Sequence, residues 1–234
     1  MRLSLIIPVY NGEHYIFDNL RKIMKILARL KVDYELIVVD DGSKDNTYKE
    51  ILKINSKRLK VLRYKQNQGK GYAIKYGFSY ATGSVVGFID ADFDIHPEAI
   101  NNFLKFIRKY DIVIGSKRHP LSKVNYPVKR RLLSFGYQIL NRLLFNLDIK
   151  DTQVGLKLFR YKVFKNILSK ATVKGYAFDL ELLVNAKKLG YKIIEMPIEL
   201  RYLNRKSCVC IKSIFQMLID TLKLFWKLKM LNRW

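Results

Sequence analysis

Cysteine is close to absent from this sequence: Cys208 and Cys210 are its only two. A pair so close together cannot supply a disulfide framework, and a reducing compartment is the simpler setting. The pair also lacks the second set of ligands that a structural zinc site needs. Histidine is scarce too. His14, His96 and His119 are scattered and offer no Ser/His/Asp arrangement. In the apolar regions of the second half, the charge-free stretches reach only ten residues between Arg131 and Arg142 and seven between Lys212 and Asp220. A bilayer span needs ~18–20, so no transmembrane helix is expected. Residues 1–9 hold one basic residue and run into a strand, so no signal peptide is expected either.

Acidic residues are also in deficit. There are 20 Asp and Glu against 44 Lys and Arg, a net charge of +24 over 234 residues. Residues 1–120 carry 21 basic and 13 acidic side chains, and residues 121–234 carry 23 and 7. The stretch 117–131 has Lys117, Arg118, Lys123, Lys129, Arg130 and Arg131 and no acid. Such a half faces something anionic. Nucleic acid is not the expected partner, because no RNA- or DNA-binding module is recognisable and the acid-rich strand ends described below repel phosphate. A hydrophobic content of 49% excludes wholesale disorder.

The first half alternates between two periods. Buried strands are predicted at 3–9, 35–39, 59–64, 85–89 and 111–115, with helices at 13–30, from a Ser43 cap to 54, at 68–80 and at 97–108. This is an α/β pattern, a mostly parallel central sheet with helices on both faces. The second half is less regular, with helices at 129–147 and 178–189, strands at 154–159 and 193–198, and an amphipathic helix from 211.

In such sheets the ligand crevice lies beyond the carboxyl ends of the strands. Three polar clusters sit there: Tyr10-Asn11, Asp40-Asp41-Gly42-Ser43 and Asp90-Ala91-Asp92. Asp90 and Asp92 suit a hard divalent cation that also binds a diphosphate, and Asp94 and His96 are further candidate ligands. A carboxylate at Asp40 or Asp41 can accept from the N–H groups of a nucleobase edge. Gln68-Gly69-Lys70-Gly71 brings backbone N–H groups and an ammonium toward phosphate without the spacing of a Walker A loop.

Taken in order, Ile6-Ile7-Pro8-Val9-Tyr10-Asn11, Val38-Val39-Asp40-Asp41-Gly42-Ser43, Asn67-Gln68-Gly69-Lys70-Gly71 and Asp90-Ala91-Asp92 resemble the inverting family 2 glycosyltransferases of GT-A fold. Gly115-Ser116-Lys117-Arg118, Arg131-x-x-Ser134, Asp151-Thr152-Gln153-Val154-Gly155-Leu156-Lys157 and Ala177-Phe178-Asp179-Leu180-Glu181 narrow the resemblance to the polyprenyl-phosphate hexose synthases. Within these they look closer to the dolichyl-phosphate β-glucosyltransferases than to the dolichol-phosphate mannose synthases. Gly12 separates Tyr10-Asn11 from Glu13, and Asp94 stands where the mannose synthases carry Gln.

The resemblance implies transfer of a hexose from a nucleotide-diphosphate sugar, UDP-glucose before GDP-mannose, to a polyprenyl or dolichyl phosphate. The alternative is a sugar or protein hydroxyl acceptor with Asp179 or Glu181 as base. Pro8, Tyr10, Asn11, Glu13, Asp40, Asp41, Lys70, Asp90 and Ala91 would then line the nucleotide-sugar site. Asp90, Asp92 and Asp94 would hold Mg²⁺ or Mn²⁺. Lys117, Arg118, Arg131 and Ser134 would take the acceptor phosphate, with Asp92, Arg118 and Arg131 the catalytic set. Asp179, Glu181, Arg201 and Arg205 would serve the diphosphate or act as base. Residues 1–205 would form the transferase domain, with 1–115 the nucleotide-sugar half and 116–205 the acceptor half. The segments 131–147 and 211–229, apolar on one face and rich in Lys and Arg, are expected to lie in the interface of an anionic membrane, with 206–234 forming the C-terminal interfacial element. That makes a monotopic protein on the cytoplasmic face of a membrane.

Overall fold

The computed structural model describes residues 1–124, 128–173, 175, 177–200 and 211–230, and the side chains of these except at 128–132 and 211–213. Seven strands form one sheet: β1 (Arg2–Val9), β2 (Asp33–Asp40), β3 (Leu59–Arg63), β4 (Val85–Ile89), β5 (Ile112–Ser116), β7 (Leu156–Arg160) and β8 (Ile193–Pro197). Their spatial order is β3-β2-β1-β4-β7-β5-β8, and β6 (Lys123–Val124) pairs in parallel with β9 (Glu199–Leu200) as a small second sheet. The helices are α1 (Ile16–Arg29), α2 (Thr47–Leu52), α3 (Lys70–Phe78), α4 (Ala99–Phe106), α5 (Val128–Phe145), α6 (Tyr161–Lys170), α7 (Phe178–Lys188) and α8 (Ile211–Met230).

Side chains alternate between the faces of a strand, yet Leu3 through Ile7 and Tyr34 through Asp40 are buried without a break. Helices therefore cover both faces, as near-continuous apolar runs in a parallel sheet require. Each fully buried Leu or Ile contributes roughly 1.5–3 kcal/mol.

Three features differ from the expected pattern. The strand expected at 154–159 is present but runs antiparallel to both β4 and β5. Its leading residues already lie at the carboxyl edge of the sheet, where the Gly155 carbonyl accepts from the Asp90 N–H at 3.1 Å, so the chain can only run back down. Helix α6 has no counterpart in the sequence-based assignment, although Val163, Phe164 and Ile167 fall on its buried face. Ser43 does not cap α2. The N-cap is Asn46, without a side-chain cap bond; Asp45 just before it accepts from the Thr47 N–H at 3.0 Å, and the Ser43 hydroxyl accepts instead from the Asn11 N–H at 2.9 Å.

At the amino-terminal edge, Glu35 is a buried acid with a defined job. Its carboxylate accepts from the Ser4 hydroxyl at 2.6 Å and from the Thr82 N–H and hydroxyl at 2.7 and 2.8 Å, tying β2 to β1 and to the α3–β4 turn. Burial alone would raise its pKa, but these hydrogen bonds and the Lys60 charge outweigh burial and hold it below the ordinary value. A depressed carboxylate pKa stabilises the fold above the unfolded value near 4.5, and that contribution is lost as pH falls through the folded value. Glu35→Gln is expected to cost about 1–3 kcal/mol at pH 7. The difference from the parent should shrink below pH 4.5, as read from urea midpoints. A pH-independent difference would refute this assignment.

Candidate active site

Strand β1 has β2 on one side and β4 on the other, so the order of the sheet reverses between β1 and β4. A crevice opens at the carboxyl ends of such a pair. Pro8 lies on β1 opposite Val39, and Tyr10, 41% exposed, follows at the strand's end. Asn11 sits at φ +51°, a conformation Asn tolerates better than other side chains, and its Oδ1 accepts from the Lys44 N–H at 2.9 Å. Glu13 accepts from the Asn46 N–H at 2.8 Å, so it braces the loop after β2.

The two acids that end β2 have separate tasks. Asp41 is saturated by the Tyr64 hydroxyl (2.7 Å), Asn67 Nδ2 (3.0 Å) and the N–H groups of Gln68 and Gly69 (2.7 and 3.0 Å). It shapes the loop that delivers Lys70, which corrects the expectation that it could read a base. Asp40 is fully buried. Its Oδ1 accepts from the Ser43 N–H at 3.0 Å, while Oδ2 lies 3.1 Å from Arg63 Nε in an ion pair but takes no hydrogen bond. Asp40 therefore retains an acceptor oxygen.

At the end of β4, the Ala91 carbonyl accepts from Asn19 Nδ2 at 2.7 Å, which anchors the Asp90-Ala91-Asp92 segment to α1. Phe93, buried, then adopts φ +53°. For a bulky residue that is a strained conformation of the kind stored at functional turns. The Asp94 N–H returns to Asp92 Oδ1 at 3.2 Å. Lys70 Nζ lies 2.8 Å from Asp90 Oδ1 and 3.1 Å from Asp179 Oδ2. Burial alone would lower the Lys70 pKa, but the charges of Asp179 and Asp90 outweigh it and hold the ammonium above the ordinary lysine range.

The antiparallel strand brings the second half to the same place. A cavity of about 170 Å³ is lined by Asp90, Asp92, Asp94, Lys117, Ser134 and Gln153, among others. Lys117 is held by Asp151, through its N–H at 3.0 Å and its ammonium at 3.6 Å. Arg118 Nη2 donates to Ser134 Oγ at 3.2 Å, and its guanidinium lies 5.4 Å from the Phe135 ring centre. Arg131 lies on α5 three residues before Ser134, but its side chain, like Arg201 and Arg205 entirely, falls outside the described residues.

Two expectations need correction. Among the described residues no three His, Cys, Asp or Glu side chains form a group able to hold one metal ion. Asp90, Asp92 and Asp94 line one cavity without making a closed triad, because Asp90 is turned to Lys70. The donor set still fits a hard divalent ion. Burial, then the charges of Asp90 and Asp94, push the Asp92 carboxyl up to about 6, the mark of acids crowded without enough positive charge. Mg²⁺ and similar ions commonly take one or two carboxylates and complete their shell with phosphate oxygens.

The second correction concerns the base. Glu181 is buried and accepts from the N–H groups of Thr172 and Val173, at 2.8 Å each, and from the Thr172 hydroxyl at 3.0 Å. Asp179 is buried between Lys157 and Lys70, whose charges outweigh burial and depress its pKa. Neither carboxylate is placed to accept a proton from a substrate hydroxyl. Nothing in the sequence pointed to Asn19, and Gln153 and Lys157 stood out only as members of the Asp151–Lys157 motif, without a role at the site.

This crevice, with an acid-turn-acid segment at the reversal point of a mostly parallel sheet, belongs to a molecule of GT-A fold. Solved structures share the fold. Glucosyl-3-phosphoglycerate synthase from Mycobacterium tuberculosis, crystallised with Mn²⁺, UDP and phosphoglyceric acid, matches at a TM-score of 0.74 and 20% identity, covering 96% of this chain and 78% of that one. Mannosyl-3-phosphoglycerate synthase from Rubrobacter xylanophilus matches at 0.74 and 19%, covering 100% and 76%. The chain belongs to glycosyl transferase family 2, whose model matches residues 4–168. It is 31% identical to the dolichyl-phosphate β-glucosyltransferase of Dictyostelium discoideum over 97% of this chain and 77% of the relative. It is 30% identical to that of Saccharomyces cerevisiae over 84% and 66%.

Proposed function

We propose that this glycosyltransferase moves glucose from UDP-glucose to dolichyl phosphate or a related polyprenyl phosphate. The observation that carries the reading is the cavity that sets Asp90, Asp92 and Asp94 against Lys117 and Ser134, with Arg118 bound to Ser134. Acids for the donor and cations for a phosphate share one space. Asp40, whose buried Oδ2 is ion-paired with Arg63 but takes no hydrogen bond, accepts from the base edge. Lys70 meets the diphosphate, and Asp90 and the Ala91 backbone hold the sugar. Asp92, with Asp90 or Asp94 beside it, would hold the divalent ion. A bound Mg²⁺ or Mn²⁺ supplies positive charge against the diphosphate as it leaves.

The acceptor side needs no base. A phosphomonoester has its second pKa near ~6 and is largely dianionic at neutral pH. A hydroxyl acceptor would need a base, and Glu181 and Asp179 are both engaged. This favours the phosphate.

A lipid acceptor also accounts for the outer surface of α5 and α8. Tyr137, Asn141 and Phe145 on α5, with Thr221, Leu224 and Leu228 on α8, are buried. The opposite sides expose Phe135, Leu143, Phe215, Leu222 and Trp226, with Leu143 78% and Trp226 59% exposed. No described helix is long and apolar enough to cross a membrane. The two helices are read as lying in the interface on the cytoplasmic face, holding the protein where its acceptor is. In a test with Mn²⁺ and UDP-glucose, dolichyl phosphate in phosphatidylserine-containing vesicles should accept label at least a hundredfold faster than dolichol or a free sugar. Equal rates with dolichol would refute the phosphate acceptor.

A further inference from the structure

Lys157 is a residue that the reaction as derived above does not use. It sits on β7 between the apolar residues Leu156 and Leu158, directly across from Phe88 of β4, and its side chain is fully buried. An ammonium in that position is expensive, and an apolar side chain of the same volume would pack there at no such cost. Its partners suggest what it is for. Nζ donates to the Val154 carbonyl at 2.5 Å and to Asp179 Oδ1 at 2.6 Å. The other Asp179 oxygen lies 3.1 Å from Lys70 Nζ, and Lys70 Nζ lies 2.8 Å from Asp90 Oδ1. Both ammoniums stand over one ring, at 5.4 Å for Lys157 and 5.5 Å for Lys70 from the centre of Phe88. Two cations and two anions alternate in a neutral row that starts under the sheet's second half and ends at the crevice.

We propose that Lys157 is a positioning residue of glycosyl transfer: acting through Asp179 it sets Lys70 and Asp90 at the donor, and through Val154 it holds the loop lining the same cavity. This rests on the reading of the crevice as the donor site. With Lys157 in place, Asp179 shares its charge between two lysines and Lys70 remains extended to Asp90. Without it, Asp179 has Lys70 as its one cationic partner in the row. Lys70 is then drawn toward α7 and away from Asp90, and the Val154 carbonyl loses a buried donor. Contacts made in this way show in turnover more than in acceptor binding, because Lys157 makes no hydrogen bond or ion pair with Lys117, Arg118 or Ser134, and its bond to the Val154 carbonyl is a backbone contact.

Lys157→Met, Lys157→Gln, Asp179→Asn and the double variant Lys157→Met/Asp179→Asn test this in the full-length protein. Lys157→Gln keeps a donor for Val154, and the double variant removes both members of one ion pair, which guards against a single variant that fails to fold. Lys157→Met is expected to lower kcat with UDP-glucose about tenfold while KM for dolichyl phosphate stays within twofold. The double variant should be no slower than Asp179→Asn alone, since Lys157 acts through Asp179. A folded Lys157 variant with a lower Tm but kcat within twofold of the parent would assign the residue to stability only and overturn the proposal. So would penalties that multiply in the double variant. UDP affinity with Mn²⁺, measured by calorimetry, separates this from the acceptor reading. If the parent protein glucosylates no dolichyl phosphate, a fivefold weaker UDP affinity in Lys157→Met still supports the positioning role, and unchanged affinity overturns it.

Discussion

Replacing Asp92 by Asn is expected to reduce transfer about a thousandfold while leaving the fold as stable as before, or more so. The substitution is nearly isosteric, and the Asn carbonyl can still accept from the Asp94 N–H as Asp92 does at 3.2 Å. What it removes is charge. Asp92 is half-buried beside Asp90 and Asp94, and burial with their repulsion pushes its carboxyl up to about 6. A carboxyl whose pKa is raised on folding opposes folding once pH passes its unfolded value of 3.8, and most strongly above about 6. Neutralising it relieves that cost at pH 7. The same step removes the anion best placed for a divalent ion, and single electrostatic contacts to a developing charge are worth roughly 10²–10³ in rate. Two measurements settle it together. Mn²⁺ should raise the Tm of the parent protein and leave Asp92→Asn unmoved, and kcat should fall in the variant alone. Full activity in excess chelator would refute the metal reading.

Gly155→Ala is expected to cost about a hundredfold in kcat/KM although residue 155 carries no side chain. A Cβ at that position would overlap the Asp90 carboxylate. Backbone cannot yield easily there, because the Gly155 carbonyl is already bonded to the Asp90 N–H at 3.1 Å. The acid must swing away from Lys70, and a displacement of about 1 Å in a reacting site costs on the order of 10²-fold. Overpacking should also cost about 1–3 kcal/mol. Gly136→Ala is the control. Gly136 lies in α5, where a Cβ would meet nothing within 4 Å, and a Gly-to-Ala change in a helix gains roughly 0.5–1 kcal/mol. Thermal unfolding should move the two variants in opposite directions, and only Gly155→Ala should lose activity. An active Gly155→Ala protein would mean that Asp90 need not sit where it does.

The first half was readable because local signals there agree. Strand runs at β1, β2 and β4 end in turn residues, and the helices between them have the right period. Side chains that must meet a ligand at strand ends are announced by polar residues where apolar runs stop. That is why Tyr10, Asp40, Asp41, Asp90 and Asp92 could be placed at or just past the strand ends from sequence. The amphipathic helices were readable for the same reason, although which apolar side packs was not. On α8 the stripe through Phe215, Leu222 and Trp226 is exposed, and Thr221, Leu224 and Leu228 form the buried seam.

By itself, then, the sequence determined the alternation of strand and helix, the four motifs at the crevice and the basic second half, all of which depend on neighbours within a few residues. Tertiary structure decided the rest. It reversed β7, because a strand's direction depends on where the preceding chain arrives, and so brought Gln153 and Gly155 to Asp90. It removed Asp41, Asp179 and Glu181 from the list of free acids, because whether a carboxylate is available depends on donors 8 to 28 residues away or on lysines from other elements. It also gave Lys157 its place in the row that leads to Asp90, since a buried charge is defined by partners that only the folded chain assembles.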